Sequence, residues 1–387
     1  MNNNFLIKKI NQNTIEKELL SIGFDESYLN VAKNKYNSNL YKIFGLTPLQ
    51  ATILKQTALA CATDCAVHRE VLTHNIDFSD AILFATNKQL KEIIKKLYTQ
   101  PFNLKTLAQN LENFSKTLEP LKINNTIFNW DKTYIMGVLN VTPNSFSDGG
   151  KYIEEEKAIN RFNELIELGA DIIDIGAEST APNNQPISSN EEIARLKNIL
   201  PNSNVQNSNI ITSIDTRNAK TANFALENKI NIVNDISGFT HDKDMAKIVA
   251  QHNATAIITF NDNINGKNII DETIKGLLKR INIAIEAGIS QNKLILDVGL
   301  GFHKTYEQNL ELIKRADEIC SLGLPVLYGL SRKSFVQKMS NMNPQETLSA
   351  NISLAAYLAE KGVNIIRVHD VLEHKIAFNA LDKIIYD

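Results

Sequence analysis

The 387-residue chain is short of several things, and each shortage excludes something. Its three cysteines, Cys61, Cys65 and Cys320, are too few and too unevenly placed for a disulfide framework, which fits a reducing compartment. Charge of neither sign dominates: 41 Lys and Arg face 43 Asp and Glu, for a net −2. A polyanion-binding surface is therefore not expected, and nucleic acid is not an expected partner. No run of about 18 apolar residues occurs, so no membrane span is expected. The N-terminal MNNNFLIKKI lacks the apolar core and cleavage site of a signal peptide, and the expected location is the cytoplasm. There is no internal repeat, and no low-complexity tract beyond Asn2–Asn4.

What remains is an ordinary globular composition, 43% hydrophobic and 22% charged, in a chain long enough for two domains. From residue 134 onward, short β-branched runs alternate with longer amphipathic stretches, the pattern of a (β/α)8 barrel. Eight strands are predicted: Tyr134–Val141, Asp171–Gly176, Ile210–Asp215, Ile232–Asp235, Thr255–Phe260, Lys293–Asp297, Pro325–Leu330 and Ile365–His369. Helices are predicted over Glu155–Leu168, Arg217–Glu227, Asp242–His252, Asp271–Ala287, Tyr306–Ser321, Pro344–Glu360 and Val371–Tyr386. Gly169, Gly288, Gly323 and Gly362 fall near the ends of four of them, where a left-handed residue terminates a helix.

Residues 1–130 read as a smaller, mainly helical or mixed α/β accessory domain, and 131–387 as the barrel domain. Phe78–Thr86 suits either a strand or a buried helix turn, since periodicity does not separate the two. Glu119–Asp131, with Pro120 and Asn124-Asn125, reads as a linker. Cys61, Cys65 and His68 follow i, i+4, i+7 spacing, so one helix face could offer them to a metal. No fourth ligand is evident, and the Ala-rich TALACATDCAV better suits a helix that buries its thiols as small hydrophobes. No motif in residues 1–130 points to a second catalytic activity.

The most informative segment is Met136–Gly150, an apolar strand that stops at a polar, glycine-ended loop. In a parallel barrel the C-terminal strand ends converge on one face, so polar residues there share a site however far apart they lie in sequence. Here those ends carry Asn140, Glu178-Ser179-Thr180, Asp215, Asn234-Asp235, Asp297, Ser331-Arg332-Lys333-Ser334, and Arg367 with His369. Asp215 alone would serve equally as a helix N-cap, and Arg367 alone as half of a surface ion pair; their coincidence favours a site. Asp215, Asn234 and Asp297 offer acceptors and an amide to a flat heterocycle with several N–H donors. Asn140, Ser179, Thr180, Arg367 and His369 suit an anion, with Arg367 able to grip phosphate in bidentate fashion. The site reads as bipolar, a ring at one end and phosphate at the other.

The pieces GVLNVTPNSFSDGG (137–150), GADIIDIGAEST (169–180), SIDT (213–216), NDISG (234–238), LDVGLGFHKT (296–305), GLSRKSF (329–335) and IIRVHDV (365–371) resemble the dihydropteroate synthase family of folate biosynthesis. They span the barrel in order and at matching spacing. The resemblance implies a transferase that joins 4-aminobenzoate to (7,8-dihydropterin-6-yl)methyl diphosphate and releases diphosphate. It further implies that Asp215, Asn234, Asp297 and Lys333 hold the pterin ring, with Phe302 and Gly329 shaping its slot. Asn140, Thr180, Arg367 and His369 would hold the diphosphate, Asn140 also lying near a Mg²⁺ ion. The 4-aminobenzoate carboxylate would rest near Lys333 and Ser334. Phe146, Asp148 and Pro182 would sit on loops that close over the pocket, and Asn140, Asp148, Lys333 and Arg367 are the expected catalytic groups. A homodimer and a sulfonamide target are implied as well.

Several positions depart from the family pattern. Ala181 and Asn183 stand where Arg and Gly are usual, Asn144 stands for Asp, Val298 for Pro, and Thr259-Phe260-Asn261 replaces an expected His-Met pair. These changes put loop closure and the outer wall of the ring slot in question, with slower turnover or an altered sulfonamide response as consequences. Two rivals stay open: a pterin-binding methyltransferase using methyltetrahydrofolate, and a catalytically weak pterin-binding barrel. The first shares the Asp/Asn ring clamp but has no need of the anion set.

Overall fold

The computed structural model describes residues 7–114, 118–141, 151–178, 186–264, 266, 268–343 and 346–386. It divides into two compact units, residues 1–116 and 117–387.

The N-terminal unit holds a three-stranded antiparallel sheet in the order β1-β3-β2, formed by β1 (Ser38–Leu46), β2 (Cys65–Val67) and β3 (Ser79–Thr86). Phe78–Thr86 thus contains a strand, and its alternation is strict: Ala81, Leu83 and Ala85 are buried while Ile82 and Phe84 are exposed. The buried set packs with Ala51, Leu54 and Ala58 of helix Pro48–Ala60 and with Leu90, Ile93 and Leu97 of helix Asn87–Leu97. Both helices start at a capping box, Thr47 with Gln50 and Thr86 with Gln89. The predicted cysteine helix does not form beyond Ala60: Cys61 caps it, Ala62 turns with φ 55°, and Cys65 opens β2. Cys61, Cys65 and His68 therefore share no helix face, and no cluster of three metal-ligating side chains exists among the described residues. Burial raises the Cys65 thiol to about 11, which suits an inert packing residue.

Residues Glu119–Asp131 are not a linker but a structural part of the second unit. Here β4 (Leu121–Ile123) and β5 (Thr126–Phe128) form a hairpin about Asn124-Asn125, with Asn124 at φ 52° as such a turn demands. Phe128, Trp130 and Tyr134 pack as rings with centroids 4.9–5.9 Å apart. They join Met136, Ile172, Ile211, Ile232, Ile257, Ile295, Leu327 and Ile365 in one apolar cluster that closes the N-terminal end of the barrel. The structural boundary accordingly lies at 116/117 rather than at 130/131.

The barrel is closed and parallel: β6 (Tyr134–Asn140), β7 (Ile172–Gly176), β8 (Ile211–Asp215), β9 (Ile232–Asp235), β10 (Thr255–Thr259), β11 (Leu294–Asp297), β12 (Val326–Gly329) and β13 (Ile365–Val368), with β13 pairing back onto β6. All eight predicted strands form, because strands covered on both faces read as continuous apolar runs. Gly169, Gly288, Gly323 and Gly362 adopt φ between 75° and 96° and end their helices as expected. The predicted helix Tyr306–Ser321 breaks at Arg315, and among the described residues of this unit three α-helices, Ser189–Leu196, Ser203–Gln206 and Ser334–Ser340, come in addition to those predicted.

Period two along each strand decides what enters the lumen. On β7, Ile173 and Ile175 face the helical layer, while Ile172 joins the apolar base and Asp174 follows it one step further up. The barrel interior is therefore apolar at its base and polar above, where Asp174, Ser213, Asp215, Asn234 and Thr259 are all buried. Among the described residues no helix is long and apolar enough to cross a membrane.

Candidate active site

One cavity opens at the C-terminal strand ends. Its polar lining is Asp215, Asn234, Asp297, Lys333 and Arg367, and its apolar walls are Ile236, Leu300 and Phe302, with Gly329 leaving space. Six residues predicted for the ring end, Asp215, Asn234, Asp297, Phe302, Gly329 and Lys333, thus meet at one place, together with Arg367, which was predicted for the anion end. They come from five different strands or the loops that follow them.

Arg367 lies at the centre of this cluster. Its Nη2 donates to Asp215 Oδ2 at 2.8 Å and its Nε donates to Asp174 Oδ2 at 2.7 Å. Burial works against its charge, but the two carboxylates outweigh that and raise its pKa. Sequence reasoning misses Asp174, although a carboxylate inside the apolar run Ile172–Gly176 is itself a signal, because a buried charge must be paired. The same Asp174 Oδ2 accepts a hydrogen bond from Asn234 Nδ2 at 3.0 Å.

Asp297 Oδ1 accepts from the Gly299 amide at 2.8 Å. Gly299 has φ 66°, and a Cβ there would lie 2.3 Å from the Phe260 carbonyl oxygen, so only glycine lets this loop turn back. Lys304, also missed from the sequence, donates from Nζ to the carbonyls of Gly299, Phe260 and Phe302 at 2.9, 3.0 and 3.2 Å. That cap fixes the loop so that the Phe302 ring carries Lys333 Nζ at 4.2 Å from its centroid. Phe260, one of the departures from the family pattern, is 3% exposed and does not line the cavity. It lies instead between Arg280 and Lys304, each 5.2 Å from its ring centre.

Burial and crowding shift the titrating groups. Burial raises Asp215 to about 7, against the pull of Arg367, and Asp174 adds to the rise. Asp297 is raised by burial too, with the Gly299 amide opposing. Lys333 falls to about 8 because burial and Arg367 outweigh Asp297 and Asp215. His369 falls to about 3 through burial, with Arg332, Arg367, Lys333 and Arg161 adding to the effect, so the ring is neutral at physiological pH.

The anion end is described in part. Asn140 ends β6 and His369 follows the adjacent strand β13, and Asn140 pairs with Gly176, whose missing Cβ would stand 3.5 Å from Asn140 Oδ1. His369 Nδ1 lies 3.0 Å from Ser331 Oγ. Phe146, Asp148, Ser179 and Thr180 lie outside the described residues, as do Asn144, Ala181 and Pro182. Ser334 is exposed at the start of its helix, and Arg332 is exposed 3.8 Å from Asp370. Asp235 turns away from the cavity and accepts from Ser237 N, Ser237 Oγ and Phe239 N, which makes it a loop-closing residue.

Residues 136–369 match the profile of the family described as pterin binding enzyme. The dihydropteroate synthase of Clostridium beijerinckii is 42% identical over 268 residues, 68% of this chain and 99% of the relative. The bifunctional dihydropteroate synthase/dihydropteroate reductase of Helicobacter pylori is 33% identical over 380 residues, 95% of this chain and 96% of its own length. Among solved structures, a dihydropteroate synthase from Clostridium difficile determined in the presence of pteroic acid superposes with a TM-score of 0.64 at 38% identity, covering 66% of this chain and 98% of that one. The Xanthomonas albilineans dihydropteroate synthase with 4-aminobenzoic acid gives a TM-score of 0.65 at 29% identity, covering 69% and 98%.

Proposed function

The chain belongs to the pterin binding enzyme family, and from that premise we propose that it is a dihydropteroate synthase, condensing (7,8-dihydropterin-6-yl)methyl diphosphate with 4-aminobenzoate. The observation that carries this reading is the convergence of Asp215, Asn234 and Asp297 with Lys333 and Arg367 on one cavity. Three acceptors beside two cations match a ring edge rich in N–H donors that bears an anionic leaving group. A methyltransferase or a catalytically weak pterin-binding barrel would need only the ring clamp.

In the reaction the methylene C–O bond to diphosphate breaks, a C–N bond forms to the amine, and one amine proton is released. Binding does most of the work. Asp215, Asn234 and Asp297 orient the ring and stabilise positive charge spreading into it, while Lys333 and Phe302 hold its face. Negative charge grows on the departing diphosphate, so fixed donors aimed at it lower the barrier. Nε and Nη2 of Arg367 are taken by carboxylates, which leaves Nη1 for the diphosphate. Where the Ser331 hydroxyl donates to Nδ1, neutral His369 keeps its proton on Nε2 and offers that N–H as a hydrogen bond to a phosphate oxygen. Thr180, Phe146 and Asp148 complete the expected set from the neighbouring loops.

Mg²⁺ fits the chemistry of this end. Asn140 supplies a neutral oxygen at a strand terminus, and Mg²⁺ commonly binds through one or two protein oxygens with phosphate and water filling the rest. Bound there, the ion would neutralise the leaving group. The 4-aminobenzoate carboxylate would lie near Ser334 and Lys333. A homodimer agrees with Leu372, Ile376 and Ile384, which helix Val371–Ile385 leaves 43, 62 and 81% exposed. Light scattering of the purified protein would test that assembly.

The decisive assay supplies both substrates with Mg²⁺ and measures dihydropteroate and diphosphate in equal amounts. Absence of product, together with failure to rescue a strain lacking the synthase, would overturn the reading. A second activity is favoured by one observation: the Helicobacter pylori relative named for synthase and reductase activities matches 95% of this chain, a span that takes in most of the N-terminal unit. We propose that this chain also reduces dihydropteroate. Full-length protein given dihydropteroate and a two-electron donor, either dithionite or NADPH, should form tetrahydropteroate; no product with either donor would remove this reading.

A further inference from the structure

We infer that Asp174 is a positioning residue that sets which end of the Asn234 amide faces the ring slot, and thereby makes the slot accept rather than donate hydrogen bonds. The inference rests on the pterin reading of the cavity. The two ends of an asparagine side chain are nearly the same shape, so its surroundings choose between them. Here the choice is forced. Asp174 Oδ2 already accepts from Arg367 Nε at 2.7 Å, so this oxygen meets the Asn234 amide as an acceptor. The same oxygen takes Asn234 Nδ2 at 3.0 Å.

The amide NH₂ is thereby spent on Asp174. Asn234 Oδ1 is left buried with no hydrogen-bond partner among the described residues, in a side chain that is 3% exposed and lines the cavity. An unpartnered buried acceptor is costly unless a ligand satisfies it. With Asp215 and Asp297 it gives the slot three acceptors, complementary to an edge of consecutive N–H groups such as that of a 2-amino-4-oxo heterocycle. The reversed amide would set an NH₂ group against those donors. Asp174 itself is fully buried between Ile173 and Ile175, a place where a carboxylate survives only with partners.

The test is an exchange of the two side chains. Asp174→Asn keeps the shape but can donate as well as accept, so Asn234 is no longer pinned. Binding of 6-hydroxymethyl-7,8-dihydropterin, read by calorimetry, should weaken about 10- to 100-fold, in line with a misdirected buried hydrogen bond. The KM for the pterin diphosphate should rise alongside, while the KM for 4-aminobenzoate stays within about twofold, since a specific slot contact and not general damage is lost. Adding Asn234→Asp should recover most of the affinity: the amide introduced at position 174 would donate to one oxygen of the carboxylate introduced at position 234 and leave the other facing the slot. A role confined to neutralising Arg367 predicts no such recovery. Unchanged affinity in Asp174→Asn would overturn the inference, as would a folded double variant that binds no pterin; the double variant alone decides if the single one does not fold. Wild-type protein that binds no pterin would instead overturn the proposed function.

Discussion

In the N-terminal unit the capping boxes close circuits between near neighbours, whereas in the barrel the Arg367 cluster reaches across the lumen. Thr47 pairs with Gln50 and Thr86 with Gln89, each three residues away. Arg367 by contrast bonds Asp215 and Asp174, 152 and 193 residues away. The first kind of contact defines where helices begin. The second gathers charge in a place from which water is largely removed, and there pKa values move and ligands are recognised. The sheets differ in the same sense. β3 buries Leu83 completely on one face and leaves Ile82 and Phe84 about half exposed on the other, while the barrel strands are covered on both sides and have no edge.

The contrast can be broken most forcefully at the site. Lys333→Ala should lower kcat/KM by about 10²- to 10³-fold, the scale of removing a preorganised electrostatic partner, with the circular dichroism spectrum unchanged. Near-normal activity would remove Lys333 from the site. In the other unit, Leu83→Ala should destabilise by about 2–5 kcal/mol, as a buried Leu truncation does, yet leave synthase kinetics within about twofold. Chemical denaturation read alongside turnover checks this; an equal loss of activity would mean that the unit takes part in the synthase reaction.

The pH profile sharpens the comparison further. Asp215 must be ionised to accept from the ring and is raised to about 7, and Lys333 must be charged and is lowered to about 8. The kcat/KM for the pterin substrate should therefore fall about tenfold per unit below pH 7 and likewise above pH 8. A flat profile between pH 6 and 9 would contradict that assignment. Stability should run the other way on the acid side. A buried carboxyl whose folded pKa is raised binds its proton more tightly in the folded state, so its contribution favours folding at low pH and is lost as pH rises towards 7. The smallest effect is expected at Ala181→Arg, where restoring a cation should lower the KM for 4-aminobenzoate by up to about fivefold, the scale of an exposed ion pair. An unchanged KM would remove the idea that this substitution slows the enzyme.

Much of the barrel was legible because parallel strands buried on both faces read as unbroken β-branched runs, each followed by a polar residue. The N-terminal sheet was less so. β1, Ser38–Leu46, carries a single β-branched residue, Ile43, and its alternation is irregular. The spacing of Cys61, Cys65 and His68 suggested a helix face only while the helix was assumed to continue, and Ala62 ends it. Asn124-Asn125 looked like linker composition but is a hairpin turn, whose strands are recognised by what they pack against: the base of the barrel. At the site, Asp215, Asn234, Asp297, Lys333 and Arg367 stood out because each marks a strand end. Asp174 and Lys304 did not, since one sits inside a strand and the other acts through backbone carbonyls.

By itself the chain determined which segments become strands and which polar residues stand at their catalytic ends, because burial on both faces and the turn after each strand are local demands. Only closure of the barrel decided the pairings. It brings β13 against β6 and across the lumen from β7 and β8, so that Asp174 meets Arg367 and Asn234. Which oxygens then remain unpaired and face the cavity depends on that meeting. Hydrogen bonds are short-ranged and directional, and no spacing along a chain fixes a direction across a barrel.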